Sequence, residues 1–431
     1  MIALFCYILL SFTYLGLGIL FAFTKAKQTY LKRFFVLTVL FPFTPIVTAL
    51  HTRFQITAYY FFLIPVFIWF ILKTLSVVRV SKTGMFSFLL ATLFIISYLL
   101  YDVSIYPENL DLINLLKDIK PLLFLGVIIL LFSVFKDVGL SWEDVFTKRL
   151  LMQNAIFSMI IFIIFFKTNV VGSLTADPFY QRVEIRYLSM GTFFSLFYFI
   201  NKLGRQEKFV VKELIYILIP IFLSGNRTLF LVLLFIVLLN VFLSIGDVQS
   251  FFRKAFLIST GGVLLVTIVF SFNENLKNRI ATLLDMELVI KQLQEFRFAP
   301  FLNKLHEYNW YDYIFGKGIG ATFFIPWFVY RKNIDNYNTY MDNIYLTLYM
   351  KYGLFSIIIF FILYLLIAKN TPNNKRYRLF IIIYFLVMGL TTAYMYQINF
   401  LFILIMLAAF DNEKIRSKNN SRTEDPPPMI E

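Results

Sequence analysis

Apolar runs of about 15–25 residues recur along this chain, near 2–23, 34–50, 56–72, 84–101, 119–135, 153–171, 186–201, 210–223, 228–245, 255–272, 343–368, 378–392 and 396–410. A helix of that length crosses ~30 Å of hydrocarbon, where only helices and closed barrels satisfy their own backbone hydrogen bonds. The pattern predicts an all-α polytopic membrane protein with about 13 transmembrane helices. The third run carries Pro65, which predicts a kink. The last two runs are short and are open to a second reading as a re-entrant pair. Composition agrees: 59% of residues are hydrophobic and 15% charged, outside the range of soluble domains. The first run has no basic segment before it and is too long for a secretory signal, so it reads as an uncleaved span. Cys6 is the single cysteine, so no disulfide can form within the chain.

Net charge is +15. The basic residues are scattered over short loops rather than gathered on one face, which argues against nucleic acid and for a bilayer topology rule. One set of loops (24–33, 73–83, 136–152, 202–209, 246–254, 369–378 and the tail after 411) carries clusters such as Lys202, Arg205, Lys208 and Lys369, Lys375, Arg376, Arg378. The short members of the alternate set are poorer in Lys and Arg, and 102–118 is acidic, with Asp102, Glu108, Asp111 and Asp118. The first set is therefore expected in the cytoplasm, with the N-terminus outside and the C-terminus inside.

This divides the chain into an N-terminal bundle over 1–272 with about 10 helices, a long extracytoplasmic loop over 273–342, C-terminal helices over 343–410, and a polar tail over 411–431 expected to be disordered. A loop of that size among tight hairpins is a functional candidate. In its first half Leu283, Leu284, Met286, Val289, Ile290 and Leu293 recur at helical spacing, predicting an amphipathic helix on the membrane surface. Its second half gathers polar groups. GKGIG at 316–320 lacks the strand–helix setting of a nucleotide site. It predicts a tight turn, with Gly318 and Gly320 leaving backbone amides free to meet an anion.

Four arginines fall on the same side. Arg186 opens a span, Arg227 sits in the tight SGNRT hairpin, and Arg279 and Arg297 lie on the long loop. A guanidinium keeps its charge and its planar fork suits phosphate, so these residues suit a lipid-linked pyrophosphate; each alone also fits headgroup snorkelling. At the end of the loop Asp342, Tyr345, Tyr349 and Tyr352 fall on one helical face, beside Asn343. A carboxylate above tyrosines can orient a sugar; the same residues also read as an aromatic belt with Asp342 as helix cap. Lys351 lies nine residues beyond Asp342, roughly 13 Å deeper on a straight helix. A charge there costs at least ~2.5 kcal/mol, so it must face protein, water or a lipid phosphate, and Gly353 beside it permits a kink. His51 and His306 are the only histidines, and there is no HExxH or CxxC, so a His-rich metal site is excluded and no metal or other cofactor is expected.

The order of an arginine opening a mid-chain span, S-x-x-R in a tight hairpin, a long loop with arginines, then G-x-G-x-G and a polar-Asn-x-Tyr-Leu helix resembles the O-antigen polymerase and ligase superfamily. The likeness is greatest to Wzy-type polymerases of surface polysaccharides, similar in plan to glycosyltransferases of the GT-C class. It covers roughly residues 150–410. The resemblance implies a bacterial inner-membrane glycosyltransferase without metal or nucleotide sugar. Its substrate would be an oligosaccharide repeat unit on undecaprenyl pyrophosphate, polymerised into O-antigen, capsule or exopolysaccharide at the outer face. A flippase and a chain-length regulator would be its partners. It implies that Arg186, Arg227 and Arg297 neutralise the departing pyrophosphate. Ligase-type members carry His where this chain has Asp342, which would act as general base or only orient the acceptor. A ligase and a flippase or exporter of lipid-linked sugars remain the alternatives.

Overall fold

Leu, Ile, Phe and Val fill the long runs, and a helix apolar on every side has to be covered by other apolar surface. In the computed structural model, residues 2–40, 57–74, 82–138, 145–167, 189–224, 226–243, 287, 290–291, 298–325, 336–370, 375–397 and 399–409 are described. Their helices are α1 (Ile2–Phe23), α2 (Lys27–Leu40), α3 (Tyr60–Thr74), α4 (Lys82–Ile105), α5 (Leu112–Val138), α6 (Lys148–Lys167), α7 (Met190–Gly204), α8 (Val211–Leu223) and α9 (Arg227–Leu243). They continue with α10 (Ala299–Leu305), α11 (Asp312–Phe315), α12 (Ile344–Tyr352), α13 (Ser356–Asn370), α14 (Lys375–Thr391) and α15 (Phe400–Ala409). Every predicted apolar run has a helix, except 255–272, which lies outside the described residues, as do the tail and most of the amphipathic segment around 283–293. Among the described residues the only sheet is a two-stranded antiparallel ribbon of β1 (Phe323–Phe324) and β2 (Tyr337–Asn338), pairing Phe323 with Asn338.

Among the described residues two stretches are long and apolar enough to cross a membrane, 88–105 and 344–365; shorter apolar helices cover 7–23, 60–69 and 228–243. The second stretch is not one straight rod. Gly353 takes φ +53, and a 3₁₀ turn over Gly353–Phe355 separates α12 from α13. The kink the sequence permitted is thus a full break, and it sits beside Lys351.

The centre of the bundle is α7, buried along all its residues but Leu203, and α15, buried from Phe400 to Leu407. Helix α7 touches α2, α6, α8 and α14, while α15 lies against α5. Aromatic pairs lock the surrounding layers: Phe34 of α2 stacks on Phe62 of α3 at 4.1 Å, and Phe146 stacks on Phe194 of α7 at 4.8 Å. The periphery is apolar too. Leu89, Leu93, Ile96, Leu100 and Val103 form one exposed stripe on α4; Leu231, Leu234, Leu238 and Phe242 form another on α9. Stripes of this length are far larger than the scattered apolar residues normal on a water-facing surface.

Helix α14 orders the two ends of the bundle. At its start, Arg376 donates to Leu243 O at the end of α9 (2.8 Å), and Tyr377 lies against Gly204 at the end of α7. The same end holds the buried Lys202–Glu213 pair, which Lys148 joins at 2.8 Å. At the far end of α14, Thr391 Oγ1 bonds Thr228 Oγ1 in the first turn of α9 (2.6 Å), and Asn343 Nδ2 donates to Leu390 O (3.0 Å).

Candidate functional site

The 298–325 segment is fastened to the α4–α5 connection and to α12 by a set of buried polar contacts. Helix α11 starts it. Asp312 is fully buried and takes a 2.8 Å ion pair from Lys317, a hydrogen bond from the Tyr106 hydroxyl, and one from the Asn309 N–H (2.7 Å). Lys317 Nζ also donates to Glu307 O (2.8 Å) and stands 4.7 Å from the centre of the Tyr106 ring. Asn109 Nδ2 donates to Lys317 O, so the 3₁₀ turn Pro107–Asn109 reads the glycine loop through its backbone. Tyr308 donates to Met350 O at 2.7 Å; burial, then the nearby Asp312 charge, pushes its phenol well above the ordinary range, which keeps that proton in place.

The glycine loop itself lies against the break in the α12–α13 helix. Lys317 N–H donates to Met350 O and Gly318 N–H to Lys351 O, both at 2.9 Å, while Gly316 N–H donates to Asp312 O at 2.7 Å. Gly320 N–H donates to Asp118 Oδ2 at 2.6 Å. Of the amides expected to meet an anion, that of Gly318 is taken by a carbonyl that the end of α12 leaves unpaired, and that of Gly320 meets an anion within the protein, the Asp118 carboxylate. Gly318 and Gly320 join the segment to the helices.

Side-chain space explains the glycines. Gly318 has φ +89, and a Cβ there would strike the Asp102 carboxylate; a Cβ on Gly316 would strike the Lys351 backbone. Gly318→Ala therefore combines a left-handed backbone, costing about 1–2 kcal/mol, with a collision. We expect faster proteolytic cleavage between 298 and 343 in this variant, measured on the solubilised full chain. Gly16→Ala, whose Cβ meets nothing within 4 Å, is the control. Equal cleavage in both would remove the clamp as the reason for the glycine.

Lys351 and Asp118 are both fully buried and paired, and Lys351 also donates to Ala321 O at 2.7 Å. Of the three partners the sequence left open for Lys351, the structure selects protein. Asp102 lies in the same pocket, fully buried, with Asn109 and the Ile319 N–H beside its carboxylate. Tyr396 also reaches Asp118. Sequence reasoning read Asp102 and Asp118 only as the charge of a loop. A lysine inside an apolar run requires a carboxylate, and the acidic connection was the signal that could have found it.

The tyrosine face divides. The Tyr345 hydroxyl donates to Leu386 O of α14 at 3.0 Å, Tyr349 packs with Phe323, Ile325, Met341 and Met350, and Tyr352 is buried against Phe94 and Tyr98 of α4. A nine-residue helix flanked by α14, α4 and the loop uses that stripe for packing, so the continuous ladder expected for a sugar is absent. The cap also moves by one residue: Asn343 accepts the Leu346 N–H at 3.0 Å, and Asp342 is exposed just before it. Arg227 is the first residue of α9; its side chain, and Arg186, Arg279 and Arg297 altogether, lie outside the described residues. The structure nevertheless brings the Arg227 backbone and Asp342 to one corner, through Thr228–Thr391 and Leu390–Asn343. Among the described residues no group of three His, Cys, Asp or Glu side chains is arranged to hold a metal ion.

One family of proteins matches this chain: a family of unknown function, DUF6369, over residues 28–418. No curated protein and no solved structure matches.

Proposed function

We propose that this chain, which belongs to the DUF6369 family, is a multi-pass bacterial inner-membrane enzyme. It would polymerise undecaprenyl-pyrophosphate-linked oligosaccharide repeat units at the outer face of that membrane. One observation carries the reading. The two residues whose chemistry suits the reaction are Arg227, the first residue of α9, and Asp342, just before the cap of α12, and these two helix starts meet at the end of α14. A fixed cation for a departing pyrophosphate and an exposed carboxylate for an acceptor hydroxyl belong together in such a transfer. The outward apolar stripes of α4 and α9 support a bilayer setting; the about 13 spans and the GT-C-like arrangement are part of the proposal. The basic end of α14, with Lys202, Lys148 and Arg376, supports a cytoplasmic assignment for that end, which puts the corner outside.

A second reading has its own observation. A helix broken at Gly353 beside a buried Lys351–Asp118 pair and a second carboxylate, Asp102, is the arrangement transporters use at their substrate or proton sites, which favours a flippase of the same lipid-linked unit. Electrophoresis of surface polysaccharide and of lipid-linked units from a deletion strain separates the readings. Single repeats held on lipid in the outer leaflet, with no polymer, support the polymerase. Loss of outer-leaflet units supports the flippase, and full-length polymer stranded on undecaprenyl supports a ligase; either removes the polymerase.

A further inference from the structure

Asp312 and Gly316, four residues apart, form the buried face of α11, so the side chains between them fan outward. Those side chains are Tyr313, Ile314 and Phe315, all exposed. Trp310 comes three and four residues before Tyr313 and Ile314, the Tyr311 backbone between is already helical, and the indole is 76% exposed. A run of three exposed apolar residues beside such a tryptophan is costly on a water-facing surface and calls for a partner. The surroundings of the turn indicate which one. The Phe315 ring stacks on Phe355, just before α13, at 5.5 Å and lies 5.8 Å from Tyr101 near the end of α4. The Tyr101 hydroxyl donates to Gly316 O at 3.2 Å, and a Cβ on Gly353 would strike Ile314 O. The turn is thus wedged between the stretches 88–105 and 344–365, both long and apolar enough to cross a membrane. Each carries an exposed apolar stripe that ends beside it: Leu100, Val103 and Ile105 on α4, and Leu354, Ile357 and Phe361 at the start of α13.

We propose that the turn from Trp310 to Phe315 is an interfacial anchor, seated in the headgroup boundary of the lipid leaflet at that end of the bundle. Trp and Tyr rings belong at such a boundary, apolar body toward the acyl chains and polar tip toward the headgroups. Ile314 and Phe315 supply the part that dips ~5–10 Å below it. A glycan would stack on the rings but gain nothing from Ile314, Leu354 or Ile357, which offer it no hydrogen bond. A soluble protein partner would have to cover a surface that continues down two lipid-facing helices. A bilayer covers all of it at once. The inference rests on the bilayer setting proposed above and is independent of polymerase or flippase chemistry. Its consequence is positional. The 298–325 segment is held from two sides, by protein at Lys317, Gly318 and Gly320 and by lipid at the α11 turn.

The test uses the full chain in phosphatidylcholine nanodiscs, with Cys6, the single cysteine, replaced by serine. One bimane-labelled cysteine is then placed by Ile314→Cys, Trp310→Cys, Leu93→Cys near the middle of α4, or Lys208→Cys in an exposed loop at the basic end. Quenchers are iodide in the water and phosphatidylcholine spin-labelled either high or low on its acyl chain. We expect the label at 314 to be quenched by the high spin label roughly twofold more than by the low one, and only weakly by iodide, with 310 in the same order. Position 93 should prefer the low spin label, and 208 should respond to iodide alone. Iodide quenching at 314 equal to that at 208, with 93 still quenched from the lipid, would overturn the anchor and leave the bilayer setting standing. If an added oligosaccharide suppressed that iodide quenching, the patch would be a glycan platform instead. Lipid quenching absent at 93 as well would overturn the bilayer setting and the anchor with it.

Discussion

Lys351→Met and Asp118→Leu each sharply lower the thermal stability of the solubilised chain. Each leaves one charge fully buried without its partner, a loss of about 3–5 kcal/mol. The pair also holds other groups. Lys351 donates to Ala321 O and Asp118 accepts from Gly320 N–H, so either variant also releases the glycine loop. Combining Asp118→Leu with Lys351→Met removes both charges and restores the part of the loss that came from an unpaired buried charge, but not the hydrogen bonds to Ala321 O and Gly320 N–H. Thermal unfolding followed by size-exclusion profile measures all three. A double variant as unstable as the sum of the singles would mean that the two residues act separately.

Arg227→Ala is the second large effect, and it tests chemistry rather than folding. Arg227 is the first residue of α9, a position where a side chain contributes little to the helix, so protein abundance should stay close to wild type. If its guanidinium neutralises a departing pyrophosphate, loss of that charge should cut polymer formation by about 10²–10³, the usual effect of removing one such group. The readout is chain-length distribution on a gel beside an immunoblot for the protein. Asp342→Asn is the companion: it keeps shape and hydrogen bonding but cannot take a proton. A normal ladder with Arg227→Ala ends the pyrophosphate role; a normal ladder with Asp342→Asn leaves Asp342 at most an orienting group.

The helices were legible because a run such as Ile2–Phe23 has no alternative to helix in an apolar setting. Their ends were less so: the run from 343 to 368 reads as one span, yet the chain turns at Gly353, where a carbonyl of Ile314 approaches too closely for any Cβ. The acidic connection and the lysine inside an apolar run were both visible, but their pairing was not, since nothing local ties Asp118 to Lys351. GKGIG was recognised as a turn, while its acceptors at Met350 and Lys351 belong to another element. Asn343 rather than Asp342 as cap is a shift of one residue that composition alone does not decide. What joins Arg227 to Asp342 is the far end of α14, whose Leu390 and Thr391 carry no sequence mark of that role.

The clamp also sets a timetable for the chain's birth. Asp118 and Lys351 are 233 residues apart. At about 5–20 residues per second, roughly 12–47 s of synthesis separate the emergence of one from the other. Through that interval α4, α5 and the helices after them must be handed from the ribosome to their final neighbours with a carboxylate still waiting for its lysine. A nascent chain arrested before Lys351 is therefore a substrate for quality control, however well its first helices have packed.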